Sequence, residues 1–250
     1  MRPETHTDAD SAPTQPGTAK SIAARWNWVV IDTMDGPDQA TVVLDGDTPR
    51  EFSRLNRCSI ARVGSVARMM DPLIHEVYDT GRTRDKYITL TDDRVQHLIG
   101  VPVLGPAGVV QAIAMWCGNI SEPLPAIPVI GAAEWNGSGI VSANPAAMFL
   151  LRTPAGDALS GHTIPETIAA FESIDHHGFL SLFNLPTVDT PADRWSGTAV
   201  TIDEYGERHN VFIAARATRI DGERRVRAVI ADASGGNTTP NSTKTTNSPS

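Results

Sequence analysis

Eight residues near the middle of the chain, Ser121-Glu-Pro-Leu-Pro-Ala-Ile-Pro128, constrain the fold most, because three prolines so close together can enter neither a helix nor a central strand. The segment must run as a stiff, extended connector. The first twenty residues are rich in Thr, Ala, Pro and Asp, and the last seventeen, from Ser234, are almost wholly Ser, Thr, Asn, Gly and Pro. Both are expected to be disordered, since neither carries apolar surface to offset the entropy of ordering. The expected organisation is therefore a tail at 1–20, a first domain at 21–120, the connector at 121–128, a second domain at 129–233 and a tail at 234–250.

From Val95 to Ser121 no side chain carries a formal charge if His97 is neutral, which is long enough to suggest a membrane span. Pro102, Gly105, Pro106 and Gly108 interrupt it, and a lipid-facing helix tolerates such a cluster poorly. The pattern predicts strands over Leu98–Leu104 and Val109–Trp116 joined by a tight turn at Gly105–Gly108. Upstream, Trp26–Ile31 and Ala40–Leu44 read as strands. Val66, Met69, Met70, Leu73, Ile74, Val77 and Tyr78 share one helical face, which Pro72 is expected to kink and Gly81 to end. A further strand is expected near Tyr87–Leu90.

The second half repeats this grammar. Ile130–Trp135 and Gly139–Ala143 flank an Asn136-Gly137 turn. Asn144 is placed to cap a helix over Pro145–Leu151, and Thr163-Ile-Pro-Glu166 has the form of a capping box. Another short helix is expected around Phe179, Leu182 and Phe183. Three strands follow: Arg194–Asp203, Asn210–Ile220 and Arg224–Ala231. The fold class expected is α+β, two small modules that each pack helices on an antiparallel sheet.

The formal net charge of −8 argues against a nucleic-acid partner, which calls for clustered cations. The N-terminus lacks the basic start and apolar run of a signal peptide, and a cytoplasmic location is expected. Cys58 and Cys117 are too few for a disulfide framework or a four-thiolate zinc site. They are read as packed side chains rather than a redox pair or chromophore anchor. Asp92-Asp93, and Asp32 with Asp35, have the oxygen ligands for a divalent cation but read as ordinary loop acids, so no metal is expected. No P-loop or nucleophile elbow is present, and no catalytic residue is assigned. Arg216, Arg219, Arg224, Arg225 and Arg227 are expected on a solvated sheet face.

Gly139-Ile-Val-Ser-Ala-Asn-Pro-Ala-Ala147, the Tyr205-Gly206-Glu207 turn and the ending Val229-Ile-Ala-Asp-Ala-Ser234 make the second half resemble a PAS domain. Leu98–Leu104 followed by Gly108–Ile113, with Thr80-Gly81-Arg82 before them, makes the first half resemble a GAF domain, a divergent PAS domain being the alternative. The whole resembles uncharacterised tandem GAF/PAS-type sensory proteins of high-GC, actinobacterial type. The resemblance implies a non-catalytic sensor or regulator in signal transduction, binding a small molecule or an unidentified signalling protein, with a homodimer as a further option. Two other readings stay open. One is a small enzyme on the same scaffold, with His75-Glu76 or Asp175-His176 as its acid–base groups, and the other is a scaffold with closed cores. A ligand pocket in the PAS-like half would be lined by Met148, Phe171, Phe179, Phe183, Phe212 and Ala214. No cofactor is expected, though some PAS domains hold haem on a histidine, which His176 or His177 would supply here. A helix start capped by Asp175 is the simpler account of that pair.

Overall fold

The computed structural model describes residues 27–152, 161–183 and 192–233, so both predicted tails lie outside the described residues. The first half contains β1 (Val29–Asp32), β2 (Thr41–Asp45), β3 (Thr48–Ser53), α1 (Gly64–Thr80), β4 (Arg84–Thr89), β5 (Val95–Leu104) and β6 (Val110–Asn119). The second contains β7 (Ile130–Trp135), β8 (Val141–Ala143), α2 (Pro145–Leu150), α3 (Ile164–Ala169), β9 (Phe171–Ser173), α4 (His176–Leu180), β10 (Arg194–Ile202), β11 (Arg208–Ile220) and β12 (Glu223–Asp232). Two six-stranded antiparallel sheets result, ordered β3-β2-β1-β6-β5-β4 and β8-β7-β12-β11-β10-β9. In both, a hairpin opens the unit, helices intervene, and a closing meander brings its last strand back beside the first. This is an α+β fold of the PAS/GAF-like kind, built twice.

The uncharged stretch is the β5–β6 hairpin, turned by Gly105–Gly108, where the Gly105 N–H donates to Val109 O at 2.8 Å. Among the described residues no helix is long and apolar enough to cross a membrane. Helix α1 is unbroken through Pro72, and Gly81 closes it in the left-handed conformation with its N–H on Val77 O. The predicted face is the buried one: Val66, Met70, Leu73, Ile74 and Val77 pack on Leu98, Ile113 and Met115. The connector, between β6 and β7, joins no helix or strand.

Each sheet is covered on both faces. One face of the first lies against α1; one face of the second lies against α2, α3 and α4, around Trp135, Phe179 and Leu182. The remaining faces pack on each other. Trp28, Val30, Ala112, Ala114 and Trp116 meet Ile130, Ala132, Phe212, Ala214, Val229 and Ala231 in a single apolar cluster. The two modules therefore pack face to face, and their sheets form the inner layers of a four-layer stack with helices outside. Alanines at Ala112, Ala114, Ala132, Ala214 and Ala231 leave room between the sheets for the larger Trp28, Trp116 and Phe212 side chains to interdigitate.

The arginine cluster also departs from expectation. Only Arg219 of the five is exposed. Arg224 donates to the carbonyls of Leu182 and Ala192, Arg225 and Arg227 both bind Glu134, and Arg216 is buried in the seam. Strand alternation does put Arg216, Arg225 and Arg227 on one face, but that face is covered by the other half.

Candidate functional site

The six residues expected to line a PAS-like pocket fall on two faces. Phe171, Phe179 and Phe183 lie in the helix-covered core, with Met148 packed against it. Phe212 and Ala214 alternate with Ile213 and Ala215 along β11 and so point the other way, into the seam between sheets. Phe179 is 1% exposed and edge-on to Trp135, Phe183 and Trp195, with ring centroids 5.4–5.5 Å away. Interlocking rings fill this space.

His176 and His177 are exposed at the start of α4, where Asp175 caps the helix by accepting from the Gly178 N–H at 3.0 Å. His75 bonds Asp38 and the Asp71 carbonyl, while Glu76 pairs with Arg84 and Lys86. Asp92 pairs with Arg94 in an exposed turn, which holds its carboxyl below the usual range. Burial pushes the Cys117 thiol up to about 11, with Glu122 adding to the shift, and burial also raises Cys58; both cysteines are free thiols. Asp203, Glu207 and His209, on the β10–β11 turn, form a ligand-like cluster that the sequence reading missed. There the Asp203 carboxylate bonds His209 and accepts the N–H groups of Tyr205 and Glu207.

The chemistry of the seam follows from two matched rows of residues. Across the first sheet, register pairing sets Thr41, Asp32, Ala112 and Val103 side by side on β2, β1, β6 and β5. Across the second, it sets Ser142, Glu134, Arg227 and Arg216 side by side on β8, β7, β12 and β11. Topologically these rows are equivalent, so Asp32 corresponds to Glu134, Thr41 to Ser142 and Val103 to Arg216.

On one side of the seam the row is joined. Arg216 crosses to Asp32, bonds Asp35 at 2.9 Å and Thr41 Oγ1 at 3.0 Å, and its guanidinium lies 4.7 Å from the Phe52 ring centroid. Asp32 is 1% exposed and also accepts from the Met34 N–H and the Thr41 hydroxyl. Burial pushes its carboxyl above the usual range, against the opposing pull of Arg216. Phe52, beneath the guanidinium, has a φ of 50°, which is strained for a bulky side chain.

On the equivalent side, among the described residues, Val103 makes no such bridge, and the crossing beside it is from Asn144 to Leu104 O. Val103 and the Leu104–Gly108 turn face Glu134, Ser142 and Asn144 across a cleft of about 790 Å³. Glu134 is satisfied within its own sheet, by Arg227 at 2.8 Å and Arg225 at 3.2 Å. The cleft floor is Val101, Ala114 and Ile130, and Pro102, Pro128 and Pro145 contribute to its lining. Its size falls within the range of small-molecule sites.

Asn144 holds the cleft's two walls together. Its Oδ1 accepts from the Ala147 N–H at 2.8 Å, capping α2, and from the Ala132 N–H at 3.1 Å. Its Nδ2 donates to Leu104 O in the first half at 2.8 Å. The sequence identified the cap but not the bridge. Asn144→Ala should lower stability by about 2 kcal/mol, the cap plus a partnerless carbonyl and N–H, in urea unfolding. Asn144→Asp should recover the cap-dependent part and not the bridge.

A family model described as Rv3651-like, N-terminal, matches residues 27–126. No curated protein matches the chain. Among solved structures, an uncharacterised protein from Mycobacterium tuberculosis superposes with a TM-score of 0.67 at 20% identity, over 82% of this chain and 62% of that one. The chain thus spans less than two thirds of that protein. A PAS domain of an HTR-like protein from Haloarcula marismortui aligns over 41% of this chain and 80% of its own, at 17% identity and a TM-score of 0.31. The sensor region of a sensor histidine kinase aligns over 83% of this chain and 84% of its own, at 13% identity and a TM-score of 0.31. Superpositions that loose add nothing to the fold assignment.

Proposed function

We propose that this chain is a non-catalytic sensory or regulatory protein of the cytoplasm, in which a small molecule bound between the two PAS/GAF-like halves sets how they present themselves to a signalling partner. The observation that carries this is the cleft itself. It straddles both halves, one wall from β5 and its turn and the other from β7 and β8. A ligand there gains contacts only when the halves are held at one spacing, so binding and the arrangement of the halves are thermodynamically linked. The helix-covered core of the PAS-like half, packed with aromatic rings, is the weaker candidate. In this reading the first half is GAF-like, and the chain carries no nucleic-acid or membrane partner.

The experiment is native mass spectrometry of the purified full chain, with thermal unfolding across a panel of small metabolites and lipids. A retained small molecule is expected, or a melting temperature that rises with the logarithm of ligand concentration. An empty protein that no compound stabilises would favour a scaffold with closed cores.

A further inference from the structure

We infer that the ligand of the seam cleft is an uncharged, largely apolar small molecule with a single hydrogen-bonding group, occupying the space that the Arg216 side chain fills on the equivalent side. This rests on the reading that the cleft binds a small molecule.

The row equivalence says why the space exists. Arg216 spans the seam on one side, and its counterpart Val103, a shorter side chain with no polar group, lines the cleft with Glu134 on the other. The equivalence also tempts one to expect a cationic occupant, a guanidinium or ammonium doing for Glu134 and Ser142 what Arg216 does for Asp32 and Thr41. Charge bookkeeping excludes that. Glu134 already holds both Arg225 and Arg227, and Arg225 also holds Glu223, so a ligand cation would enter beside two arginines and find no carboxylate left unpaired. An anion fares no better. At this end of the seam Asp32, Asp35, Glu134 and Glu223 stand against Arg216, Arg225 and Arg227, and each arginine is already paired with carboxylates. Arg227 spends a further donor on Met34 O. A charged ligand would lose its hydration without gaining a free counter-charge.

More than half of the surface that remains is apolar. The floor and much of the walls are Val, Ala, Ile and Pro. The exposed Ser142 and the carboxylate lone pairs of Glu134, side by side on neighbouring strands, offer a place for a hydroxyl or N–H.

The test uses N-phenyl-1-naphthylamine, an uncharged probe with one N–H that fluoresces when desolvated, added to the full chain. Saturable enhancement at one probe per chain is expected. Naphthalenes carrying a hydroxymethyl, an ammoniomethyl or a carboxylate group then compete for the site. The hydroxymethyl compound should displace the probe at concentrations at least tenfold lower than either charged analogue. Val103→Phe fills the cleft from one wall and Ser142→Phe, at an exposed position, from the other. Each should weaken probe binding at least tenfold while far-UV circular dichroism is unchanged. If the two folded variants bind the probe as the native chain does, the cleft is not the site and the parent reading falls with it. If the native chain does not bind the probe while a compound of the metabolite panel stabilises it, the parent reading stands and the apolar ligand class is wrong. If the variants abolish binding but a charged analogue competes best, the site stands and the ligand class is wrong.

Discussion

Arg216→Ala should cost about 3–5 kcal/mol of stability, measured by urea unfolding at pH 7, because it strands the Asp32 carboxylate in the seam with no counter-charge. Asp35 does not replace the lost cation; it adds a second negative charge nearby. The loss should depend on pH, and its sign can be worked out. Burial already raises the Asp32 pKa in the native chain, and Arg216 opposes that rise. Without the guanidinium the folded-state value climbs further, while the unfolded value stays near its ordinary 3.8. Between those two values the folded protein binds a proton that the unfolded chain has lost. Stability therefore increases as pH falls through that window. The deficit of Arg216→Ala relative to the native chain should shrink from pH 7 toward pH 5. Adding Asp32→Asn to the variant removes the stranded charge and should recover much of the loss and flatten its pH dependence. A deficit independent of pH, or no recovery by Asp32→Asn, would show that the guanidinium acts through packing on Phe52 instead.

The same arginine marks where the sequence could be read and where it could not. Strand alternation correctly put Arg216, Arg225 and Arg227 on one face of the closing meander, but alternation says nothing about what covers a face. The helices and most strands were legible because their signals are local: the apolar stripe from Val66 to Val77, the Gly105–Gly108 turn, the Asn144 cap and the Thr163–Glu166 box. Strands β3 and β9 carry no such signal. One reads Thr-Pro-Arg-Glu-Phe-Ser with a single buried side chain, the other is three residues long, and both lie on sheet edges where pairing is tertiary. The seam itself had a trace in the sequence. Val29–Ile31, Val110–Trp116 and Val211–Ala215 are buried at consecutive positions rather than alternate ones, the mark of strands covered on both faces. A module with one covered face would send Phe212 and Ala214 toward its helices; the second covered face puts them in the seam cluster instead. The cleft had no trace at all, because it arises from a long-range comparison of Val103 with Arg216 that only the registers reveal.

Phe179→Ala should separate the two candidate interiors and carries the other large effect, a loss of about 3–5 kcal/mol in urea unfolding. Phe179 is 1% exposed and central to a group of rings in which Trp135, Phe183 and Trp195 each meet it edge-on. Those rings are fixed by different elements, from β7 through the end of α4 to β10, so they cannot all collapse into the gap at once. Most of the cavity should persist, and a persistent apolar cavity binds small aromatics. Benzene or indole should therefore restore part of the lost stability, in proportion to the logarithm of its concentration. If the helix-covered core is closed in the native chain, neither compound should stabilise the native chain through this site. Naphthylamine probe binding should be unchanged in the variant at denaturant-free conditions, because Phe179 faces away from the seam. A mild loss of stability combined with loss of probe binding would instead place the ligand among the rings, where the sequence first put it, and would leave the seam cleft empty of function.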